Sequence, residues 1–518
     1  MKRVLYITSI VLLAAITSCT NDRDAAAPIS ISEYVAQKPV PVSFDTYNAD
    51  APTTRAGAYG VISTNASLQA KGFGVFAYYT QETKFDNVPL VGVGSRNLLP
   101  DFMYNEYIVW DATNNKWDYY DPNDQKFWPN DFNGNGNPVD THGATGTKLN
   151  YISFFAYAPY AGTFTQAADN TTKDGATPPT TNGDGVNSGI IAASGNAFNG
   201  DPFLTYRTSN DATKAVDLLW GTAGGTDNGD NVVGTAQPGG SVTRTVDDGT
   251  IYSPTYSLAN TNIDMTKQET DGKVKFNFKH ALAKVGGSTV GSVAAVKGLT
   301  VDLLLDSDGS SASAAKSANT KVTVKRITIT HDDATTGTPA VLTNPMESTG
   351  VFNLATGEWT LTAVDNSDPT TYRTINYLID QGGAGTQGNI LAADIMEPTT
   401  AVTTWANLDG INGVVETTPK NVFATEAYPL VFLPGSSPRL KFTIEYCVRT
   451  KDDKLAKGFT EVWQTITKTL SFGATTLDLN KQYNIKMHLG LTTVKFDASV
   501  CDWDNGSTET VDLPINVM

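Results

Sequence analysis

The stretch Gly-Phe-Gly-Val-Phe-Ala-Tyr-Tyr at Gly72–Tyr79 decides the fold, and Tyr-Ile-Ser-Phe-Phe-Ala-Tyr at Tyr151–Tyr157 repeats its character. Both runs are rich in aromatic or β-branched residues, and turn-forming Gly, Asn, Asp or Pro residues separate such runs along the chain. No segment keeps an apolar period of 3.6 residues over more than about three helical turns. The sequence therefore predicts an all-β protein with few short helices. The further predicted strands are Tyr107–Trp110, Trp117–Tyr120, the start of Val274–Val285, Leu299–Leu305, Val322–Thr330, Gly350–Leu354, Trp359–Ala363, Glu426–Leu433, Leu440–Val448, Thr460–Thr469 and Tyr483–Phe496.

The length of 518 residues calls for more than one packing unit, because it is about three times that of a typical single domain. Many short strands with turn signals between them are typical of β-sandwiches. Two tandem β-sandwich domains account for the length, an N-terminal one over 56–287 and a C-terminal one over 288–518. Long loops rich in Thr, Asn and Gly are candidates for binding, and they fall at 161–200, 222–250 and 380–400.

The composition argues against several classes of protein. Lys and Arg number 37 against 53 Asp and Glu, which gives a formal charge of -16 and no basic footprint for a nucleic acid. Four His and three Cys are few for a protein built on several metal sites. No nucleophile elbow, HExxH pair or Walker loop occurs in the sequence. We therefore predict a non-enzymatic protein with no cofactor, no metal and no nucleic-acid partner.

The N-terminus reads as a secretory signal over Met1–Ser18. Lys2 and Arg3 form a basic start, and Val4–Ile16 is an apolar stretch that is shorter than the ~20 residues of a membrane-spanning helix. The segment ends at Cys19 after two small residues, which resembles the lipobox of bacterial lipoproteins. We predict lipid attachment at Cys19, with an ordinary signal peptide and a chance cysteine as the alternative.

Both ends of the remaining chain carry a period-two apolar pattern. After a polar tether, Val40, Val42 and Phe44 alternate with other residues and predict a short strand, which a polar loop with a lone Arg55 follows. The C-terminal tail alternates in the same way, so it must bury one face. It does so either in a sheet of its own chain or in a groove of another subunit. The alternating tail residues are Val511, Leu513, Ile515 and Val517.

An aromatic cluster around Trp110, Trp117 and Trp128 offers a candidate binding surface. Flat indole rings can stack on sugar rings, so the cluster allows a glycan site. Aromatic residues also pair across the strands of a hairpin and pack in cores, which is the competing interpretation. A ring that binds a sugar must have an exposed face, and exposure therefore separates the two.

Two cysteines remain once Cys19 carries lipid, namely Cys447 and Cys501. Both lie in sequence that is typical of strands. They could form a disulfide in an oxidising compartment. The alternative is a pair of buried free thiols that pack as small apolar residues.

An ordered set of motifs resembles the fimbrillin family, from about residue 40 to the end of the chain. Fimbrillins are lipoprotein-derived subunits of type V pili in the Bacteroidales, and the resemblance implies two transthyretin-like β-sandwich domains. The motifs are Gly74–Tyr79, Phe102–Asn105, Trp128–Asn130, Phe154–Tyr160, Val216–Gly221, Phe276–Val285, Gly350–Leu354 with Trp359, Pro434–Gly435 and Val500–Trp503.

The resemblance also implies a maturation route. An arginine-specific, trypsin-like protease would cut between Arg55 and Ala56 and remove 19–55, which includes the leader strand. The tail 510–518 would then serve as donor strand for the opened groove of a neighbouring pilin subunit. Implied partners are other pilins, the outer membrane through the lipid, and host glycans or proteins. The precursor would sit in the outer membrane and the mature subunit in a surface pilus. The alternatives are an ordinary loop at Arg55, a tip adhesin, or a surface glycan-binding lipoprotein.

Overall fold

The fold is known from a computed structural model, and Pro41–Met518 form one of its two compact units while Met1–Val40 form the other. The structure describes residues 39–48, 62, 65–83, 85, 90–92, 95–96, 100–129, 131–132, 138–139, 150–161, 180–181, 187–193, 200–210, 214–223, 244–245, 251–252, 264–265, 273–285, 299–303, 319–332, 335–336, 341–342, 346–362, 375–381, 389–408, 410–412, 420–423, 430–435, 439–471, 476–490, 494–502, 511–512 and 516–517.

Short strands dominate the first half of the described chain. In order they are β1 (Ser43–Asn48), β2 (Phe73–Gln81), β3 (Leu90–Gly92), β4 (Ser95–Arg96), β5 (Met103–Asp111), β6 (Lys116–Tyr119), β7 (Asp131–Phe132), β8 (Pro138–Val139), β9 (Tyr151–Ala158), β10 (Thr180–Thr181), β11 (Asn187–Ala193), β12 (Phe203–Arg207), β13 (Leu219–Ala223), β14 (Arg244–Thr245), β15 (Ile251–Tyr252), β16 (Asp264–Met265), β17 (Lys273–His280) and β18 (Ala283–Val285).

The second half continues in the same way, with its longest strands near the end. They are β19 (Leu299–Leu303), β20 (Thr320–His331), β21 (Thr335–Thr336), β22 (Val341–Leu342), β23 (Thr349–Asn353), β24 (Glu358–Leu361), β25 (Asn376–Asp380), β26 (Asn389–Ile390), β27 (Ile411–Asn412), β28 (Lys420–Asn421), β29 (Leu430–Phe432), β30 (Arg439–Lys451), β31 (Phe459–Ser471), β32 (Lys481–Leu489), β33 (Val494–Asp502), β34 (Val511–Asp512) and β35 (Asn516–Val517). The all-β prediction is confirmed.

Helices are few among the described residues. They include α1 (Asn65–Lys71) and 3-10 turns at Pro122–Asp124 and Trp405–Asn407. Gly72 ends α1 with φ of 64°, and its N–H donates to the Leu68 carbonyl at 2.9 Å. A Cβ at this position would lie 2.6 Å from a backbone oxygen, so glycine is required where the helix turns into β2. No helix in the described ranges is both long and apolar enough to cross a bilayer.

The first large sheet closes on itself. Its order is β13-β17-β1-β6-β5-β2-β9, and β13 also pairs with β9, which joins the two ends. We call these seven strands the seven-strand ring. Phe44, Phe73, Phe276 and Phe278 are buried in one aromatic cluster of the ring. Every strand of the ring therefore has a neighbour on both sides, and β1 is one of its members.

The second half forms a sandwich of two sheets. One has the order β28-β19-β32-β18-β29, with β33 and then β34 added on β32, and the other has the order β26-β25-β20-β30-β31-β35. Buried residues from both sheets share a single core, including Val301, Tyr483, Ile327 and Phe442. The two sheets therefore pack face to face, as a β-sandwich requires.

A five-stranded sheet with the order β10-β11-β12-β23-β24 combines strands from both halves of the chain. Its Leu204 and Phe352 share a core with Tyr157 and Trp220 of the ring and with Val431 of the sandwich. This sheet thus contains strands from each of the two predicted domains, whose limits stay a prediction.

One predicted strand is divided in the structure. Tyr483–Phe496 is two strands of a hairpin, β32 and β33, because β32 ends at Leu489 just before Gly490. In Val274–Val285, the alternating start forms β17 in the ring, and the short apolar segment after it contains β18 in the sandwich.

Candidate functional site: the seat of the N-terminal strand

The strand β1 lies between β17 and β6. Its six residues pair in parallel with Lys273–Phe278 of β17, from Ser43 opposite Lys273 onward. On the other side only Phe44 pairs with β6, opposite Trp117, and Pro41 makes an isolated bridge with Phe127. A long ladder on one side and a short contact on the other therefore hold β1 in place. We call these two contacts together the seat of β1.

The predicted strand is present but begins later than the pattern suggested. Val42 and Phe44 are 1% and 3% exposed, whereas Val40 is only partly buried. The regular strand starts at Ser43, after Pro41, which has no N–H to give to a ladder. The apolar alternation thus identified the buried face but not the first residue of the strand.

Aromatic rings surround the side chain of Phe44. Ring centroids of Phe73, Tyr119 and Phe276 lie 6.1, 5.7 and 6.0 Å from that of Phe44. We call these three rings the Phe44 pocket. Full burial of one large apolar side chain is worth about 1.5–3 kcal/mol, so Val42 and Phe44 together contribute about 3–6 kcal/mol to holding β1.

Polar contacts fix β1 at three further points. The Val42 N–H donates to the Lys126 carbonyl at 2.8 Å, and the Tyr119 hydroxyl donates to the Val42 carbonyl at 3.2 Å. The indole N–H of Trp117 donates to the Thr46 hydroxyl at 3.0 Å. Desolvation raises the pKa of Tyr119 well above its ordinary value, so this phenol remains a donor at physiological pH.

Removing the Tyr119 hydroxyl should loosen β1 without disturbing the pocket. We expect Tyr119→Phe to lower the free energy of unfolding by about 1 kcal/mol, because one buried hydrogen bond to Val42 is lost and the ring stays. Urea unfolding monitored by fluorescence measures this loss. Tyr120→Phe is the matched control, since Tyr120 is 52% exposed, and an equal loss in both variants would contradict the role of the Tyr119 hydroxyl.

The chain that follows β1 re-enters the described structure at Ile62. The Ile62 N–H donates to Asp217 Oδ2 at 2.8 Å, and Asp217 Oδ1 lies 3.0 Å from Nδ1 of His280. All three residues are buried. This buried pair fixes the chain beyond the predicted cleavage site, and sequence analysis did not assign it. Its only signal is an acidic residue inside the apolar run Val216–Trp220.

Arg55 and Ala56 lie outside the described residues, as does Cys19. Cleavage at the first pair and lipid attachment at the cysteine therefore stay predictions. What the structure describes is the strand on one side of the predicted cut, up to Asn48, and Ile62 on the other side.

The C-terminal tail pairs within its own chain at two places. Val511 and Asp512 form β34 against Val500 and Ser499 of β33. Asn516 and Val517 form β35 against Ser471 and Leu470 of β31. Each contact comprises two residue pairs among the described residues, and through them the tail joins an edge strand of each sandwich sheet. Leu513 and Ile515 lie outside the described residues, and donation of the tail to a neighbour stays a prediction.

The tryptophan cluster gives no support to the predicted glycan site. Trp117 is 4% exposed and packs on Phe73 at 4.9 Å between ring centroids, and Trp128 is 5% exposed against Phe154. Trp110 is partly buried and meets Trp117 edge-on at 5.4 Å. Trp117 and Trp128 thus have no free face for a sugar ring, because Trp117 packs against Phe73 and Trp128 packs against Phe154. The competing interpretation, core packing, fits these residues.

Cys447 is a buried free thiol on β30, which matches the alternative to a disulfide with Cys501. Desolvation raises the pKa of Cys447 to about 11, so the reactive thiolate is scarce at neutral pH. The side chain of Cys501 lies outside the described part. Cys447 therefore acts as a small core residue.

Metal-ligating side chains do not gather in the described ranges. No group of three or more His, Cys, Asp or Glu residues there has the geometry to hold an ion. The two described histidine–aspartate pairs, His280 with Asp217 and His488 with Asp497, each bring together only two such groups.

Comparison with known proteins finds no matching family model and no matching curated protein. The chain is similar in structure to a fimbrial protein from Bacteroides vulgatus, with 18% identity, a TM-score of 0.49, and coverage of 89% of this chain and 99% of that one. A candidate cell adhesion protein from Bacteroides uniformis has 13% identity and a TM-score of 0.32, with the same coverage. One from Bacteroides eggerthii has 9% identity and a TM-score of 0.27, with coverage of 90% and 93%. Functional inference therefore rests on the residues of this chain.

Proposed function

We propose that the chain is a structural subunit of a surface fimbrium that polymerises by exchange of a β-strand and supports cell adhesion. The observation that carries the proposal is the seat of β1. An N-terminal strand that carries buried Phe44, with buried Val42 just before it, completes the seven-strand ring, yet the chain after the strand leads to a lone arginine.

Loss of β1 would leave an open slot. β17 would lose a parallel ladder of six residue pairs, and the Phe44 pocket would face water. Unpaired backbone groups and exposed aromatic rings both favour the addition of a new strand. A cut between Arg55 and Ala56 would break the covalent link between β1 and the rest of the chain. The Ile62 N–H would keep its hydrogen bond to buried Asp217.

The tail of a second copy is the proposed occupant of the slot. Its alternating apolar residues supply one apolar face, as β1 does. Among the described residues, the ladders that hold β34 and β35 in their own chain have two pairs each, against six for β1 on β17. The slot thus offers a longer ladder than either of these two contacts.

Two further steps belong to the proposal. Lipid on Cys19 would hold the precursor at the outer membrane until an arginine-specific protease removes residues 19–55. The mature chain would then join other subunits outside the cell. Host glycans or proteins would be contacted by the long loops, because rigid β-frameworks usually present their binding residues on loops.

Limited trypsin treatment of the purified full chain tests the central step. We expect N-terminal sequencing to read from Ala56 and denaturing gels to show a ladder of oligomers, with no ladder from Arg55→Ala. Cleavage after Arg55 that leaves only monomer would refute strand exchange.

A locked variant separates cleavage from strand release. Asp45 and Lys275 pair directly across β1 and β17, so cysteines at both positions can form a disulfide. The oxidised double variant should be cut normally yet remain monomeric, and a reductant should restore polymerisation. Polymerisation at the wild-type rate while oxidised would overturn the proposal.

A further inference from the structure

The strand β31 has one long open edge. It pairs with β30 over all thirteen residues, from Phe459 opposite Lys451 to Ser471 opposite Arg439. On its other side only Leu470 and Ser471 have a partner within the described part of the chain, namely β35. The edge from Phe459 to Thr469 therefore presents a row of backbone donors and acceptors.

Two large apolar residues are exposed on this strand. Val462 is 49% exposed and Trp463 is 52% exposed. They are sequence neighbours, so their side chains point to opposite faces of the sheet. A surface laid on one face would cover only one of them. A strand placed beside the edge would contact both.

Edge strands usually carry features that prevent pairing, such as proline, a bulge or an inward-pointing charge. The β30–β31 register runs without a bulge, and Val462–Ile466 contains neither proline nor charge. Glu461 and Lys468 lie outside this segment, one on each side. The centre of the edge thus lacks the usual protection.

We propose that β31 pairs with β31 of a second copy of this chain, antiparallel and about a two-fold axis at Gln464. In that register Val462 of each copy faces Ile466 of the other, and Trp463 faces Thr465. Glu461 faces Thr467 and Lys468 faces Thr460, so no like charges meet. An isologous contact of this kind needs one self-complementary patch, which Val462–Ile466 provides.

Neighbouring registers fit less well. A shift by one residue would place opposite faces of the two sheets side by side, because side chains alternate with period two. A shift by two in one direction sets Val462 against Lys468, and in the other direction it sets Val462 against Gln464. Of these three registers, only the one centred on Gln464 pairs apolar with apolar residues on the core side.

A single strand-to-strand contact is smaller than the roughly 1,200–2,000 Å² of a standard interface, so the dimer belongs to the weak class. It would form where copies are concentrated, such as on a cell surface. The inference does not rest on strand exchange at β1, because β31 lies in the sandwich and not in the seven-strand ring.

Sedimentation equilibrium of the full chain over a wide concentration range tests the dimer. We expect a monomer–dimer equilibrium, and Gln464→Lys should raise the dissociation constant at least about tenfold because two lysines would meet at the axis. Thr467→Lys is the matched control. It adds the same charge opposite Glu461 of the partner, so dimerisation should persist or strengthen. A wild-type chain that stays monomeric throughout, or equal weakening by both lysines, overturns the proposal.

Oxidative cross-linking tests the register. Gln464→Cys should give a disulfide-linked dimer, because the two cysteines face each other at the axis. Thr460→Cys should give none, since it faces Lys468. The wild-type chain is oxidised in parallel to measure any background from its own cysteines. Cross-linking of Thr460→Cys but not Gln464→Cys would overturn the proposed pairing.

Discussion

Replacing Phe44 by alanine is expected to lower the free energy of unfolding by about 3–5 kcal/mol, the usual cost of removing a buried phenylalanine ring. Phe44 is 3% exposed, and its ring contacts Phe73, Tyr119 and Phe276. Because β1 lies between β6 and β17 in the ring, the pocket cannot collapse unless one of these two strands moves. The cavity therefore remains, and its cost adds to the lost burial.

Urea unfolding followed by tryptophan fluorescence measures the effect, since Trp117 packs beside this pocket. Asp45→Ala is the matched control on the same strand. Asp45 is partly buried, and its ion pair with Lys273 is 3.9 Å long between half-exposed side chains, so its replacement should cost no more than about 1 kcal/mol. A loss below about 1 kcal/mol for Phe44→Ala would mean that β1 contributes little to the ring. The slot argument would then fail.

Replacing Glu397 by alanine is expected to cost about 3–5 kcal/mol, because it leaves the buried Arg449 without its main partner. Both oxygens of Glu397 accept from the Arg449 guanidinium, at 2.7 and 2.9 Å, and the Thr323 hydroxyl donates to Glu397 as well. The Arg449 side chain is 2% exposed. Its remaining carboxylate, Glu461 at 3.0 Å, is partly in solvent and compensates only in part.

Two variants give the contrast. Glu445→Ala breaks ion pairs with Lys325 and Arg326 that are 3.4 Å long and partly exposed to solvent, so it should cost no more than about 1 kcal/mol. Arg449→Met combined with Glu397→Leu removes both buried charges and should be far milder than Glu397→Ala alone. Thermal and urea unfolding of the three proteins measure the differences. A double variant as unstable as Glu397→Ala would show that packing, and not the unpaired charge, sets the loss.

Local alternation in the sequence was enough to predict β1 and its buried face, because Val42 and Phe44 recur with period two. Its partner could not be predicted. Parallel strands are not joined by a short hairpin turn, so the sequence between them gives no pairing signal. The residues around Lys273–Phe278 likewise carry no pattern that identifies β1 as their partner. The same limit applies to β18, which leaves the ring two residues after β17 without any sequence signal stronger than a short break.

Exposure was the other property that sequence could not provide. Trp117 and Trp463 both lie in alternating strands, yet the first is 4% exposed and the second is 52% exposed. Alternation defines two faces of a strand but does not say which face another layer covers. The sequence therefore allowed a sugar-binding surface at Trp110, Trp117 and Trp128, because it did not show that these rings are covered. Trp463 lies in a strand with alternating threonines, and no pattern in that sequence marks it as exposed.

The parallel pairing of β1 has a consequence for biosynthesis. Ser43 pairs with Lys273, so a growing polypeptide must add 230 further residues (273 minus 43) before the ladder can start. Contacts of such long range are slow to form, and strands waiting for them are prone to join the wrong chain. The first of the described strands to be synthesised is thus among the last to be paired. During that delay a nascent molecule resembles the trimmed one, and keeping nascent copies apart becomes a requirement of the pathway.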